Sequence, residues 1–167
     1  MQWQAERMQQ LDPGNTERAM RAMLGLGRYL EQSGLEASLL DLVQTRASQI
    51  NGCANCLDMH TKEAWARGES EQRLYLLSAW REYPFYSERE RAALLWTEAV
   101  TLVAEGQVPD AVYEEVRQSF GENELLALTM AGTTINAWNR LNIALRPAPG
   151  GSSPFPSRCR PRRRSQP

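Results

Sequence analysis

Two of the three cysteines and the single histidine of the 167-residue chain fall within ten consecutive residues, Asn51 to His60, NGCANCLDMH. Asn51-Gly52 is a turn-forming pair, and a helix opening at Cys53 puts Cys56 three residues on and His60 four beyond that. Those offsets set the three side chains on one helical face. A thiol pair with a base beside it can accept two electrons and move a proton, which is what disulfide-forming redox chemistry requires. The N-terminal end of the helix favours thiolate over thiol. One isolated cysteine is more often a small core residue, but two thiols and the sole imidazole on one stripe argue for function.

Other chemistries fit these residues less well. A structural zinc ion wants four ligands, and with no second cysteine pair or other histidine it would have to recruit Asp41 or Cys159 from a distance. Covalent haem attachment needs histidine directly after the second cysteine, where Leu57 stands. A thioredoxin-like fold needs a βαβ pattern, and no segment alternates as a strand does.

The elements that must position the dithiol are helical. Asp12-Pro13-Gly14-Asn15 marks a helix start, and Ser33-Gly34 a stop. A second helix carries Leu35, Leu39, Leu42, Val43, Ala47 and Ile50 on one side, with Asp41, Thr45 and Ser48 on the other, and ends at Asn51-Gly52. The cysteine helix runs from about Cys53 to Arg67 and is closed by Gly68. Ser70 caps a fourth helix reaching past Trp80 to Pro84. Ser87 and Glu90 form a capping box before a fifth, which Gly106 follows. Pro109 suits a first helical position, and a long last helix runs from about Glu124 to Leu145. The expected fold is all-α, a bundle of about six or seven helices. Trp65, Trp80, Trp96 and Trp138 are expected to anchor the core or a subunit interface. Arg46 is expected in a structural salt bridge or beside an anion.

Composition sets the boundaries. With 42% hydrophobic and 23% charged residues, the chain suits one soluble domain over residues 1–146. Residues 147–167, rich in Pro, Gly, Ser and Arg, read as a disordered tail, with Cys159 an incidental thiol. From Arg146 onward there are six arginines and no acid, which leaves 13 basic against 20 acidic side chains in residues 1–145. A body with a net charge of -7 argues against nucleic-acid binding by the core. No apolar run is long enough to span a membrane, and the first residues lack the pattern of a secretory leader, so a cytoplasmic location is expected.

The runs LLDLVQTRASQINGCANCLDMHTKEA, SAWREYPFYSERERAAL and INAWNRLNIALRPAPG resemble the carboxymuconolactone decarboxylase superfamily, and within it the alkylhydroperoxidase D-like branch. The resemblance spans about Met20 to Gly150 and is most specific in C-x-x-C-x-x-x-H after RASQINGC. It implies a thiol-dependent peroxidase serving antioxidant defence. Cys56 would be the peroxidatic thiolate, Cys53 the resolving thiol of a redox-active disulfide, and His60 the proton-transfer group. An acid twelve residues before the first cysteine would share the relay; here it is Asp41, where glutamate is usual. Taken without the resemblance, Asp41 is a solvated residue on the polar side of its helix. The resemblance further implies an organic hydroperoxide or hydrogen peroxide as substrate and a lipoylated or thioredoxin-like dithiol reductant. No bound cofactor or metal is expected, and the assembly would be a homo-oligomer, a trimer or a multiple of one. The alternative is a non-catalytic redox sensor or disulfide-exchange protein using the same pair. A lactone decarboxylase ranks below both, because that chemistry does not call for a C-x-x-C pair.

Overall fold

Asp12, Ser70 and Ser87 each build the helix start that the sequence marks. The Asp12 carboxylate accepts the Asn15 N–H at 2.8 Å with Pro13 behind it, and the Ser70 hydroxyl accepts the Arg73 N–H at 3.1 Å. At Ser87 the box closes both ways, its hydroxyl accepting the Glu90 N–H at 3.2 Å while Glu90 accepts the Ser87 N–H at 2.7 Å. The structure is a computed structural model and describes residues 7–147.

Among these residues there are eight α-helices and no strand. They are α1 (Pro13–Glu31), α2 (Ala37–Asn51), α3 (Ala54–Ala66), α4 (Glu71–Leu76), α5 (Glu88–Thr101), α6 (Val103–Gly106), α7 (Asp110–Arg117) and α8 (Glu122–Leu145). The all-α expectation holds, with local differences. The fourth helix stops at Leu76 and tightens into a 3-10 turn, Leu77–Ala79, instead of running past Trp80. The fifth is interrupted at Leu102, which is flanked by the β-branched Val100, Thr101 and Val103 with weaker helix preference. Pro109 caps α7 rather than opening it, and α8 begins at Glu122.

The centre of the bundle is α2, which packs on α3, α5 and α8. Its Leu39 and Val43 join Ala93, Trp96, Phe120 and Leu128 in the main core, while Leu42 faces Leu77, Trp80 and Leu94 in a second cluster. Gly132 lets α8 come close to α5, since a Cβ there would meet Val100 Cγ1 at 3.3 Å. Burial of Trp80 and Trp96 agrees with their expected anchoring role, whereas Trp65 is 40% exposed. Arg46 takes the structural alternative. Its Nε donates to Glu98 at 2.9 Å, beside Trp80 Nε1 and Arg81 on the same carboxylate.

No helix of the described residues is long and apolar enough to cross a membrane. The expected arginine-rich tail, from Ala148 onward, lies outside the described residues.

Candidate active site

The turn between α2 and α3 decides where the sulfurs sit. Gly52 adopts the left-handed conformation at φ 69°, and the Cys53 N–H reaches back to the Ser48 carbonyl at 3.0 Å, which closes α2 and releases the chain for a new start. Cys53 is therefore the cap of α3 rather than its first residue, and its sulfur accepts the Cys56 N–H at 3.3 Å. One turn of helix then brings Cys56 back over Cys53. The two sulfurs are joined in a disulfide with Cα atoms 5.4 Å apart.

This turn is pinned to α8 by amides. Asn51 Nδ2 donates to Asn136 Oδ1 and Asn139 Oδ1, each at 2.8 Å, and to the Ala47 carbonyl. Asn139, fully buried, donates in turn to Ser48 Oγ, and Asn136 donates to Thr101 Oγ1. Arg140 donates to Asn136. These amides hold the cysteine cap against the last helix by hydrogen bonds that need fixed geometry, so the cap has little freedom to slide.

Both cysteines are buried in one cluster with Ala47 and Ile135, but only Cys56 of the pair lines a cavity. That cavity, of about 650 Å³, lies between α1, α2, α3 and α8, and Asp41, His60, Glu63, Arg67 and Asn142 line it too. Leu24, Leu30, Leu35 and Leu40 add apolar lining to the same cavity. All four residues singled out in the sequence are thus gathered, three of them on the cavity and Cys53 joined to one of them, Cys56.

Asp41 is buried at 3% exposure, which overturns its reading as a solvated residue. The polar side of α2 faces inward, because Thr45 and Ser48 are fully buried as well. One Asp41 oxygen accepts from Arg67 Nη1 at 2.5 Å; the other is buried with no hydrogen-bond partner among the described residues. Burial pushes the Asp41 carboxyl above its ordinary value, outweighing the hydrogen bond and charge of Arg67, and nearby Glu63 adds to the rise. His60 Nδ1 lies 3.3 Å from Glu63 Oε2. That contact holds the Glu63 carboxyl below its usual value and favours the tautomer with the proton on Nδ1, leaving Nε2 as the basic nitrogen. Asp41 and His60 thus each have a charged partner that the sequence reading did not supply. Among the described residues no cluster of three or more His, Cys, Asp or Glu side chains is arranged to hold a metal ion.

Glu63 and Arg67 are site residues that sequence reasoning missed; Asn142 lies in the run INAWNRLNIALRPAPG that carries the resemblance, but the sequence assigned it no role. Glu63 and Arg67 continue the stripe of Cys56 and His60 at steps of three and four, a helical signal present in the sequence. Asn142 Nδ2 donates to Cys56 Sγ at 3.2 Å from the far end of α8, and no spacing within one helix announces that contact.

The profile of the carboxymuconolactone decarboxylase family matches residues 16–99. The uncharacterized protein YdfG of Bacillus subtilis is 43% identical over 126 residues, covering 75% of this chain and 86% of its own length. A crystal structure from Agrobacterium tumefaciens, of a protein of unknown function described in connection with the antioxidant defence protein AhpD, is 43% identical with a TM-score of 0.75. That match covers 83% of this chain and 92% of the other. The debrominase Bmp8 superposes with a TM-score of 0.71 over 83% of this chain and 74% of its own, but at 18% identity it shares the fold alone. The chain belongs to the carboxymuconolactone decarboxylase family, in its alkylhydroperoxidase D-like branch.

Proposed function

We propose that the protein is a thiol-dependent hydroperoxide reductase that serves antioxidant defence. The observation that carries this reading is the asymmetry of the dithiol: Cys56 lines the cavity with His60 and Asp41, and Cys53, buried in the same cluster, does not. A peroxide in the cavity meets Cys56 first. The Cys56 thiolate attacks one peroxide oxygen and breaks the O–O bond, giving Cys56 sulfenic acid and an alkoxide that takes a proton from the His60 and Asp41 side of the cavity. The Cys53 thiol then displaces hydroxide from the sulfenic sulfur, and water leaves as the disulfide forms.

Reduction runs through the same opening. A dithiol attacks Cys56 Sγ and expels Cys53 as thiolate, which the Cys56 N–H at the helix cap is placed to receive. The second thiol of the reductant closes its own disulfide and releases Cys56. A lipoylated or thioredoxin-like partner supplies such a dithiol with no resident cofactor. We place the protein in a reducing, cytoplasmic compartment as a homo-oligomer, a trimer or a multiple of one. The exposed Leu24, Tyr29, Leu126 and Ile143 are consistent with buried subunit contacts.

One observation favours the second reading, a disulfide-exchange protein or redox sensor. Asp41 is engaged by Arg67 rather than by His60, which would weaken the relay that peroxide cleavage needs. Single-turnover reaction of the reduced protein with an organic hydroperoxide decides between them. Rapid loss of two thiols, with a Cys53–Cys56 disulfide located by mass spectrometry, is the expected result. In Cys53→Ser the reaction should stop at a Cys56 sulfenic acid, and in Cys56→Ser it should not begin. Slow peroxide reaction beside fast exchange with a protein disulfide would overturn the peroxidase reading in favour of exchange.

A further inference from the structure

Asn142 stands apart from the other amides of α8. Asn136 and Asn139 are taken up by Asn51, Ser48 and Thr101, whereas Asn142 donates its Nδ2–H to Cys56 Sγ at 3.2 Å. It lies on the cavity stripe of α8, four residues beyond Trp138 and eight beyond Thr134, so its amide approaches the sulfur from the side opposite α3. Of the groups on the cavity with Cys56 that can carry positive charge, Arg67 is held by Asp41 and His60 by Glu63. The negative charge of a Cys56 thiolate thus has dipoles to rest on, the N-terminal amides of α3, in which Cys56 is the third residue, and the Asn142 side chain.

We propose that Asn142 is a catalytic hydrogen-bond donor whose amide N–H holds the charge of the Cys56 thiolate and turns the sulfur toward the cavity. The inference rests on the reading of Cys56 as the cavity-facing reactive thiol. Such a donor acts twice in the cycle. It stabilises the attacking thiolate before the O–O bond breaks, and it stabilises Cys56 again as the leaving thiolate when the reductant closes its own disulfide. In the disulfide the sulfur is a weak acceptor, so the contact gains strength as charge develops on Cys56.

The test needs Cys56 as the sole thiol, which Cys53→Ser with Cys159→Ser provides. In that background the thiolate is titrated by its ultraviolet absorbance and by the pH dependence of its alkylation with iodoacetamide. Asn142→Leu is expected to raise the midpoint by about one unit, a tenfold loss of thiolate below it. Asn142→Asp should raise it further, because an isosteric carboxylate removes the donor and adds a like charge. Asn142→Gln should restore part of the shift. A merely structural role predicts no such order. A midpoint unchanged in either folded variant overturns the proposal, and the isosteric aspartate provides the reading should the leucine variant not fold. No peroxide enters this titration. A chain that shows the ordered shift yet turns over no hydroperoxide keeps the donor and loses the peroxidase, and a flat titration with intact turnover does the reverse.

Discussion

Asp41 and Arg67 meet between α2 and α3 at 2.5 Å, with one carboxylate oxygen on the guanidinium and the other buried without a hydrogen bond among the described residues. A half-satisfied carboxylate in this setting is costly to the fold, and under the proposed function it is the group that exchanges a proton with the peroxide.

The cost and the use separate in Asp41→Asn. Burial raises the folded-state value of this carboxyl above that of the unfolded chain, so the folded protein binds the proton more tightly. Its contribution to stability is complete below the unfolded value and is lost as pH rises through the folded one. Above the folded-state value the native protein carries a charge that burial makes costly and that the amide removes. The variant is expected to melt on the order of 2–4 °C higher at neutral pH, roughly 1 kcal/mol for a chain of this size. The difference should vanish in acid. Peroxide turnover should fall about 100-fold. A lower melting temperature at neutral pH would show that the Arg67 pair outweighs burial.

Glu98 has the opposite pH signature. Burial works to raise its carboxyl, but hydrogen bonds from Trp80, Arg81 and Arg46 prevail and hold it below the ordinary value. The stability it contributes is present above the unfolded value and lost as pH falls through the folded one. Glu98→Gln should cost about 2 kcal/mol at neutral pH in urea unfolding, since three donors lose a charged acceptor. The variant should also lose less stability than the native chain between neutral pH and acid. Equal acid losses in the two proteins would remove Glu98 from the account.

The sequence carried the dithiol, its base and the helix ends, because each rests on spacing within one element. Ser87 with Glu90, Asp12 with Pro13, and Asn51-Gly52 act locally, and the structure realises each where it is written. Contacts between helices were not legible in that way. The burial of Asp41 depends on how α2 is turned against α3, and its pairing with Arg67 spans 26 positions. The reach of Asn142 to Cys56 spans 86. A polar stripe such as Asp41, Thr45 and Ser48 looks solvated in isolation and becomes interior only because α2 is covered by α3, α5 and α8.

Asn51 couples the cysteine cap to α8, and its loss should be felt in both stability and chemistry. Asn51→Ala removes the donor to Asn136 and Asn139, leaving the buried Asn139 oxygen unsatisfied at about 1–3 kcal/mol. Closure of the Cys53–Cys56 disulfide from the reduced protein should slow, because the cap is no longer held against α8. Gly52→Ala is the control for the turn itself. No atom lies within 4 Å of an added Cβ, so its cost is the left-handed backbone alone, about 1–2 kcal/mol. If Asn51→Ala unfolds no more readily than the native chain, the amide network does not fasten the site.

Asp41→Glu tests whether the shorter acid limits the chemistry. The peroxidase members that the sequence resembles carry glutamate at this position, and the cavity beside Asp41 has room for one more methylene. The longer side chain can release Arg67, which is 48% exposed and readily solvated, and bring its carboxylate farther into the space shared with His60 and Cys56. Arg67→Gln would test the same point from the other side, by removing the competitor and leaving Asp41 in place. If the engagement of Asp41 by Arg67 restrains proton transfer, both variants should oxidise Cys56 faster in single turnover with an organic hydroperoxide, on the order of tenfold. Their thiolate titrations should shift upward if they shift at all, because one change brings a carboxylate nearer Cys56 and the other removes a cation from the same cavity, so faster oxidation in either could not come from a more acidic thiol. Slower oxidation in both would mean that the pair itself positions the acid, and that Arg67 belongs to the reactive group rather than holding it in check.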